Sequence, residues 1–110
     1  AHEHRFGVHA GEVETSMLLH LAPEQVQMAR AQNFASTSAT RAQRFAILGN
    51  GKSAKLGWAM QDYNPAGAAG NAAAADAQRG QALVEAAAQG LAQLLQEMHQ
   101  LPLDTVGPAY

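Results

Sequence analysis

An α/β fold, with a short hairpin among several helices and one long C-terminal helix, is what this 110-residue chain predicts. Three observations carry the prediction. A helical apolar period opens at Gly11, an Asn-Gly pair sits between two apolar segments at Asn50-Gly51, and an uninterrupted Ala/Leu/Gln/Glu tract runs from Ala77 to about Gln100.

Residues 1–10 are polar and aperiodic and read as a loop, with a short extended piece at Phe6 to Val8. From Gly11, the residues Val13, Met17, Leu18 and Leu21 gather on one helical face. Glu12 and Glu14 stand in the first turn, where the positive end of the helix dipole favours carboxylates. Pro23 ends this helix, since it has no amide proton, and suits the first position of a second, short helix over Glu24 to Ala31. Asn33 to Thr40 is Ser/Thr-rich and reads as a loop. Phe45 to Leu48 and Leu56 to Met60 are the two predicted hairpin strands around Asn50-Gly51. Asp62 to Gly70 is turn-rich, with Asn64-Pro65 and two glycines three apart. Asp76 is a good N-cap for the last helix, whose stripe is Val84, Leu91, Leu94, Leu95, Met98 and Leu101, and Pro102 stops it. Gly80 and Gly90 inside that helix should each cost about 1 kcal/mol relative to Ala. Gly80, Val84 and Ala87 share a face, so close packing by a neighbour and plain helix propensity are both open as reasons for its small residues.

Composition limits what such elements can do alone. Of 52 hydrophobic residues 25 are Ala, so large apolar side chains are scarce and a self-sufficient core is hard to build. Seven Lys and Arg against nine Asp and Glu give a net charge of −2, which disfavours nucleic acid as a partner. The absence of Cys excludes disulfides, thiolate zinc sites and a thiol nucleophile. No apolar stretch approaches the roughly 18 residues of a membrane span, and no charged-then-apolar leader is visible, so a cytoplasmic location is expected.

Three apparent motifs carry no chemistry. Gly51-Lys52-Ser53 resembles the end of a phosphate-binding loop, but Ala46 stands where that loop needs Gly. The Gly67/Gly70 pair is too short for a dinucleotide fingerprint. His2 and His4 alternate like a metal-binding pair, yet near the start of the chain they read as solvated.

His9-Ala10-Gly11-Glu12-Val13-Glu14-Thr15-Ser16 is different. It places an imidazole at the mouth of a helix, where the dipole favours the neutral ring, and a neutral imidazole can accept a proton and return it. Ala10 and Gly11 leave room near the backbone, and Glu14 lies little more than one turn on. A loop histidine beside two dipole-favouring glutamates explains the same residues without chemistry.

This segment, continued through Met17-Leu18-Leu19 and Leu21-Ala22-Pro23-Glu24, resembles the creatininase (creatinine amidohydrolase) family, whose members carry a His-Ala-Gly-x-x-Glu-Thr-Ser signature in their C-terminal portion. Asn64 to Asn71 is similar to that family's Ser-Pro-x-Gly-x-x-Gly-Asp loop, and Asp76 to Leu83 to the start of its last helix, so the resemblance covers about residues 9–101. It implies the C-terminal part of a three-layer α/β/α fold, usually hexameric, with a paired metal site that hydrolyses cyclic amides or related C–N bonds. In such enzymes the metals polarise the carbonyl and supply the nucleophile. The resemblance makes His9 the catalytic acid–base with Glu14 its neighbour, and Gly67 and Gly70 part of the substrate-binding wall.

The family's Glu-x-His, Asp and Asn-Gly-His ligand segments have no counterpart here, since the one Asn-Gly is followed by Lys52. Residues 1–110 are therefore expected to be the C-terminal half of one domain. That half is expected to be inactive alone, with divalent Zn and/or Mn bound mainly by the other half and with a small-molecule amide as substrate. Arg5 and Phe6 stand where creatinine-specific members have an aromatic residue and an acid. Other branches act on formamido-pyrimidines or on a small modified peptide. The rival expectation is a non-enzymatic interaction or oligomerisation module that packs through its Ala-rich terminal helix.

Overall fold

The structure, a computed structural model, describes residues 2–54 and 56–108. In order the elements are α1 (His2–Phe6), α2 (Glu12–Leu21), β1 (Asn33–Phe34), α3 (Thr37–Arg44), α4 (Met60–Tyr63), β2 (Gly70–Asn71) and α5 (Ala77–Gln100), with single 3-10 turns at Pro23–Gln25, Met28–Arg30, Ala72–Ala74 and Leu103–Thr105. This is the helix-rich α/β arrangement that the sequence predicts.

The two long helices behave as expected. Gly11 is the N-cap of α2, and Pro23 begins a 3-10 turn just beyond it. The Asp76 carboxylate accepts the amides of Gln78 and Arg79 at 2.8 and 3.1 Å, so α5 begins at the predicted cap. The same carboxylate receives the Arg79 Nε at 2.9 Å, and Arg79 also pairs with Glu12 of α2. Asp76→Ala is expected to lower stability by about 0.5–2 kcal/mol, because the capped amides lose their acceptor; urea unfolding measures it.

Four expectations are corrected. His2 to Phe6 is a helical turn rather than a loop; its His2 ring packs on Phe6 with centroids 4.8 Å apart, and Glu3 stands in its first turn. Glu24 to Ala31 is not one helix but two 3-10 turns, because the chain is extended at Val26 between them. Asn33 to Thr40 is not a loop. It holds β1 and the start of α3, which is capped by the Ser36 hydroxyl accepting the Ser38 amide at 3.2 Å. The hairpin about Asn50-Gly51 does not form. Past Arg44 the backbone keeps turning, with Gly49 N–H bonded to Phe45 O at 3.0 Å. The Asn50 side chain then accepts the amides of Lys52 and Ser53, so its polar group closes a local turn instead of leading into a returning strand.

The sheet that does form is antiparallel and non-local: Asn33 faces Asn71 and Phe34 faces Gly70. An isolated antiparallel bridge pairs His9 with Ala69, just before β2. α2 lies across the first turns of α5, where Gly80 is buried directly on the Ser16 backbone and the buried Ser16 hydroxyl accepts the Asp76 amide at 3.0 Å. Close packing is therefore the reason for the small residue at Gly80. Gly90 has open space around it.

Among the described residues the buried hydrophobics are Ala68, Ala69 and Ala72. The radius of gyration is 18.3 Å, against about 13 Å for a compact domain of this size. α5 extends for about 36 Å at 1.5 Å per residue and outruns α2 by more than half its length. Leu91, Leu94, Leu95 and Met98 consequently lie 50–61% exposed.

Candidate active site

The signature segment folds around one left-handed residue. Ala10 has φ of +52°, a region that non-glycine residues enter only when the surroundings hold them there. Two side chains one turn into α2 supply that hold: the Glu14 Oε2 accepts the Ala10 amide, and the Thr15 hydroxyl donates to the Ala10 carbonyl at 3.5 Å. Ser16 completes the set by fixing α2 to the start of α5. Glu14, Thr15 and Ser16 thus each have a structural task in this spacing.

The turn throws the His9 ring outward while its backbone stays fastened. His9 N–H and Val8 N–H both donate to Ala69 O at 3.2 and 2.8 Å, and Ala69 N–H donates to His9 O at 2.9 Å. The His9 side chain is 59% exposed, and its Nδ1 stands 3.9 Å from Glu14 Oε1. That distance is too long for a hydrogen bond but short enough for the carboxylate to orient the ring electrostatically.

The glycine loop delivers Ala69 to this position. The Asn64 carboxamide oxygen accepts the Ala66 amide at 2.9 Å, and Gly67 N–H closes the turn on Asn64 O at 3.0 Å. Gly67 has φ of +76° and Gly70 φ of +144°. At Gly70 the requirement is doubled, because a Cβ there would lie 2.6 Å from the Gly11 Cα. Two glycines, one from each motif, therefore touch backbone to backbone.

His9 and Glu14 share a cavity of about 410 Å³ whose apolar wall is formed by Leu18, Met28, Phe34 and Ala68. Gly67 and Gly70 do not line it; they shape the loop that presents Ala68. Phe34 and Met28 come from segments with no motif, so sequence reasoning gave no reason to name them. A second cavity of about 390 Å³ lies between α1, α2 and α5, where Glu3, Glu12 and Arg79 are already engaged with one another's elements. Among the described residues no three of His, Asp and Glu come together to hold a metal ion. His2 and His4 are not part of any such group. No helix of the described residues is long and apolar enough to cross a membrane.

The family model Creatininase, for creatinine amidohydrolase, matches residues 1–95. A crystal structure of a Bacteroides fragilis protein bearing the provisional name creatinine amidohydrolase superposes with a TM-score of 0.69 at 32% identity. The match covers 89% of this chain and 37% of that one, so the chain spans little more than a third of its structural relative. No curated protein gives a significant match.

Proposed function

This chain belongs to the creatininase family, and from that premise we propose that residues 1–110 are the C-terminal half of a single domain in a metal-dependent amidohydrolase. The complete enzyme has the three-layer α/β/α fold and hydrolyses the C–N bond of a cyclic amide or formamide in a small molecule. It is a cytoplasmic homo-oligomer, hexameric by family resemblance. The divalent metal, Zn and/or Mn, is bound mainly by residues outside this chain, and the half described here is inactive by itself.

One observation carries the reading: the signature turn and the glycine loop fasten to each other through backbone hydrogen bonds and leave the His9 ring free at the rim of an apolar groove. His9 is the general acid–base. With Nδ1 turned toward the Glu14 carboxylate, Nε2 is the atom that exchanges the proton, taking it from the attacking water as the water oxygen bonds to the carbonyl carbon and delivering it to the nitrogen as the C–N bond breaks. Glu14 has two tasks: one oxygen supports the left-handed turn through the Ala10 amide, and the other faces the ring. Gly67 and Gly70 contribute to the substrate wall by setting the path of Ala68. The scarcity of buried large side chains agrees with a half-domain whose interior is completed by further polypeptide.

The exposed stripe of α5 favours a second reading, a non-enzymatic module that binds a partner through this helix. One experiment separates the two. The complete natural protein, assayed on a panel of cyclic amides and formamides with parallel metal analysis, is expected to hydrolyse at least one of them and to contain stoichiometric divalent metal. Metal-free, inactive protein that binds a partner through α5 overturns the hydrolase.

A further inference from the structure

We infer that Glu3 is a positioning residue for His9, a carboxylate clip that holds the two backbone segments on which the imidazole is mounted; its catalytic consequence rests on the amidohydrolase reading above. The two oxygens of Glu3 are spent on different segments. Oε1 accepts the Glu12 amide at 2.7 Å, and Oε2 accepts the Asn71 amide at 2.9 Å. Glu12 begins α2 immediately after His9-Ala10-Gly11, and Asn71 follows directly on Ala69-Gly70. Each amide is thus two or three residues from one member of the His9–Ala69 bridge.

The carboxylate also stands over the contact between the two glycines. A Cβ on Gly70 would lie 2.6 Å from Glu3 Oε1, and a Cβ on Gly11 would also collide with that oxygen. The signature segment and the glycine loop therefore meet at a point made of two bare Cα atoms and one bidentate acceptor. The Glu12 amide is one of the first-turn donors of α2 with no partner inside the helix, so a charged acceptor there gains from the helix dipole as well. Glu3 does not touch the His9 ring; it acts through the backbone that carries it.

The requirement is for two acceptors at once. A carboxylate can receive both amides, whereas a carboxamide of the same shape can receive one and must turn its NH₂ toward the other, leaving two donors face to face. Glu3→Gln therefore tests the clip without changing volume. Glu3→Asp keeps both acceptor oxygens on a stem one methylene shorter.

Amide hydrogen exchange in the natural protein and its Glu3→Gln variant reads the result independently of catalysis. Exchange at Val8, His9 and Ala69 is expected to speed up about tenfold, the loss of one charge-assisted hydrogen bond, while Leu83 and Val84 in α5 keep their protection. Glu3→Asp is expected to restore part of the protection. Unchanged exchange at Val8, His9 and Ala69 overturns the clip, and so does equal acceleration throughout α5, which marks a general structural role. In the active enzyme Glu3→Gln is expected to lower kcat at least tenfold with KM within a factor of about two. An unaltered protein that hydrolyses no amide overturns the enzyme reading, and the exchange contrast still decides on the clip.

Discussion

Replacement of His9 by alanine in the complete enzyme is expected to lower kcat/KM by about 10²–10⁴-fold, the scale of a lost general acid–base, while the melting temperature stays within a degree or two. Both halves of the prediction come from one geometry. The ring is more than half exposed, with the Glu14 carboxylate 3.9 Å away, so little packing goes with it. The part of His9 that holds the fold together is its backbone, paired with Ala69, and alanine keeps that. Substitutions at such exposed side chains commonly change stability by no more than about 0.5 kcal/mol. Steady-state kinetics and thermal unfolding on the same preparation check the two halves. A variant with undiminished turnover removes His9 from the reaction.

Glu14→Gln provides the contrast. Its carboxylate supports the strained Ala10 turn as well as facing the ring, so a change there moves structure and chemistry together. His9 is the position at which the two can be read apart.

The second large effect is a change of sign within one helix. Gly80→Ala is expected to destabilise by about 1–3 kcal/mol, and Gly90→Ala to stabilise by about 1 kcal/mol. At both positions the added methyl removes the intrinsic helix penalty of glycine. At Gly80 the new Cβ falls on the Ser16 carbonyl, and because the obstacle is backbone, no rotamer change relieves it. At Gly90 nothing lies within 4 Å, so only the propensity gain remains. Urea unfolding of the two single variants measures the difference, which should exceed about 2 kcal/mol. Equal effects at the two sites would show that α2 does not lie against α5 at Ser16.

The long elements were legible because their signals are local. Asp76 and Pro102 bracket α5, and the apolar spacing from Val13 to Leu21 outlines α2. The signature was readable as a motif, but its physical reason required coordinates: Ala10 is left-handed, and the Glu14 and Thr15 side chains return to that one residue. The sheet was illegible because its partners, Asn33–Phe34 and Gly70–Asn71, lie far apart in the chain and each strand has only two residues, too short to show a period. Asn50-Gly51 misled because the asparagine side chain satisfies the amides of its own turn. Glu3 went unnoticed for a similar reason. A carboxylate in a polar segment looks solvated until the two amides that face it are known.

An interior of alanine methyls and bare Cα atoms also shapes the thermodynamics. The buried hydrophobics among the described residues are three alanines, each of which exposes less hydrocarbon on opening than a leucine would, and hydrocarbon hydration is what gives unfolding its large heat-capacity increment. A smaller increment flattens a stability curve and a smaller exposed area softens the response to denaturant, so a shallow, broad curve is the expected result of calorimetry on residues 1–110 by themselves. Covering the exposed leucines along the outer turns of the last helix would raise both quantities together.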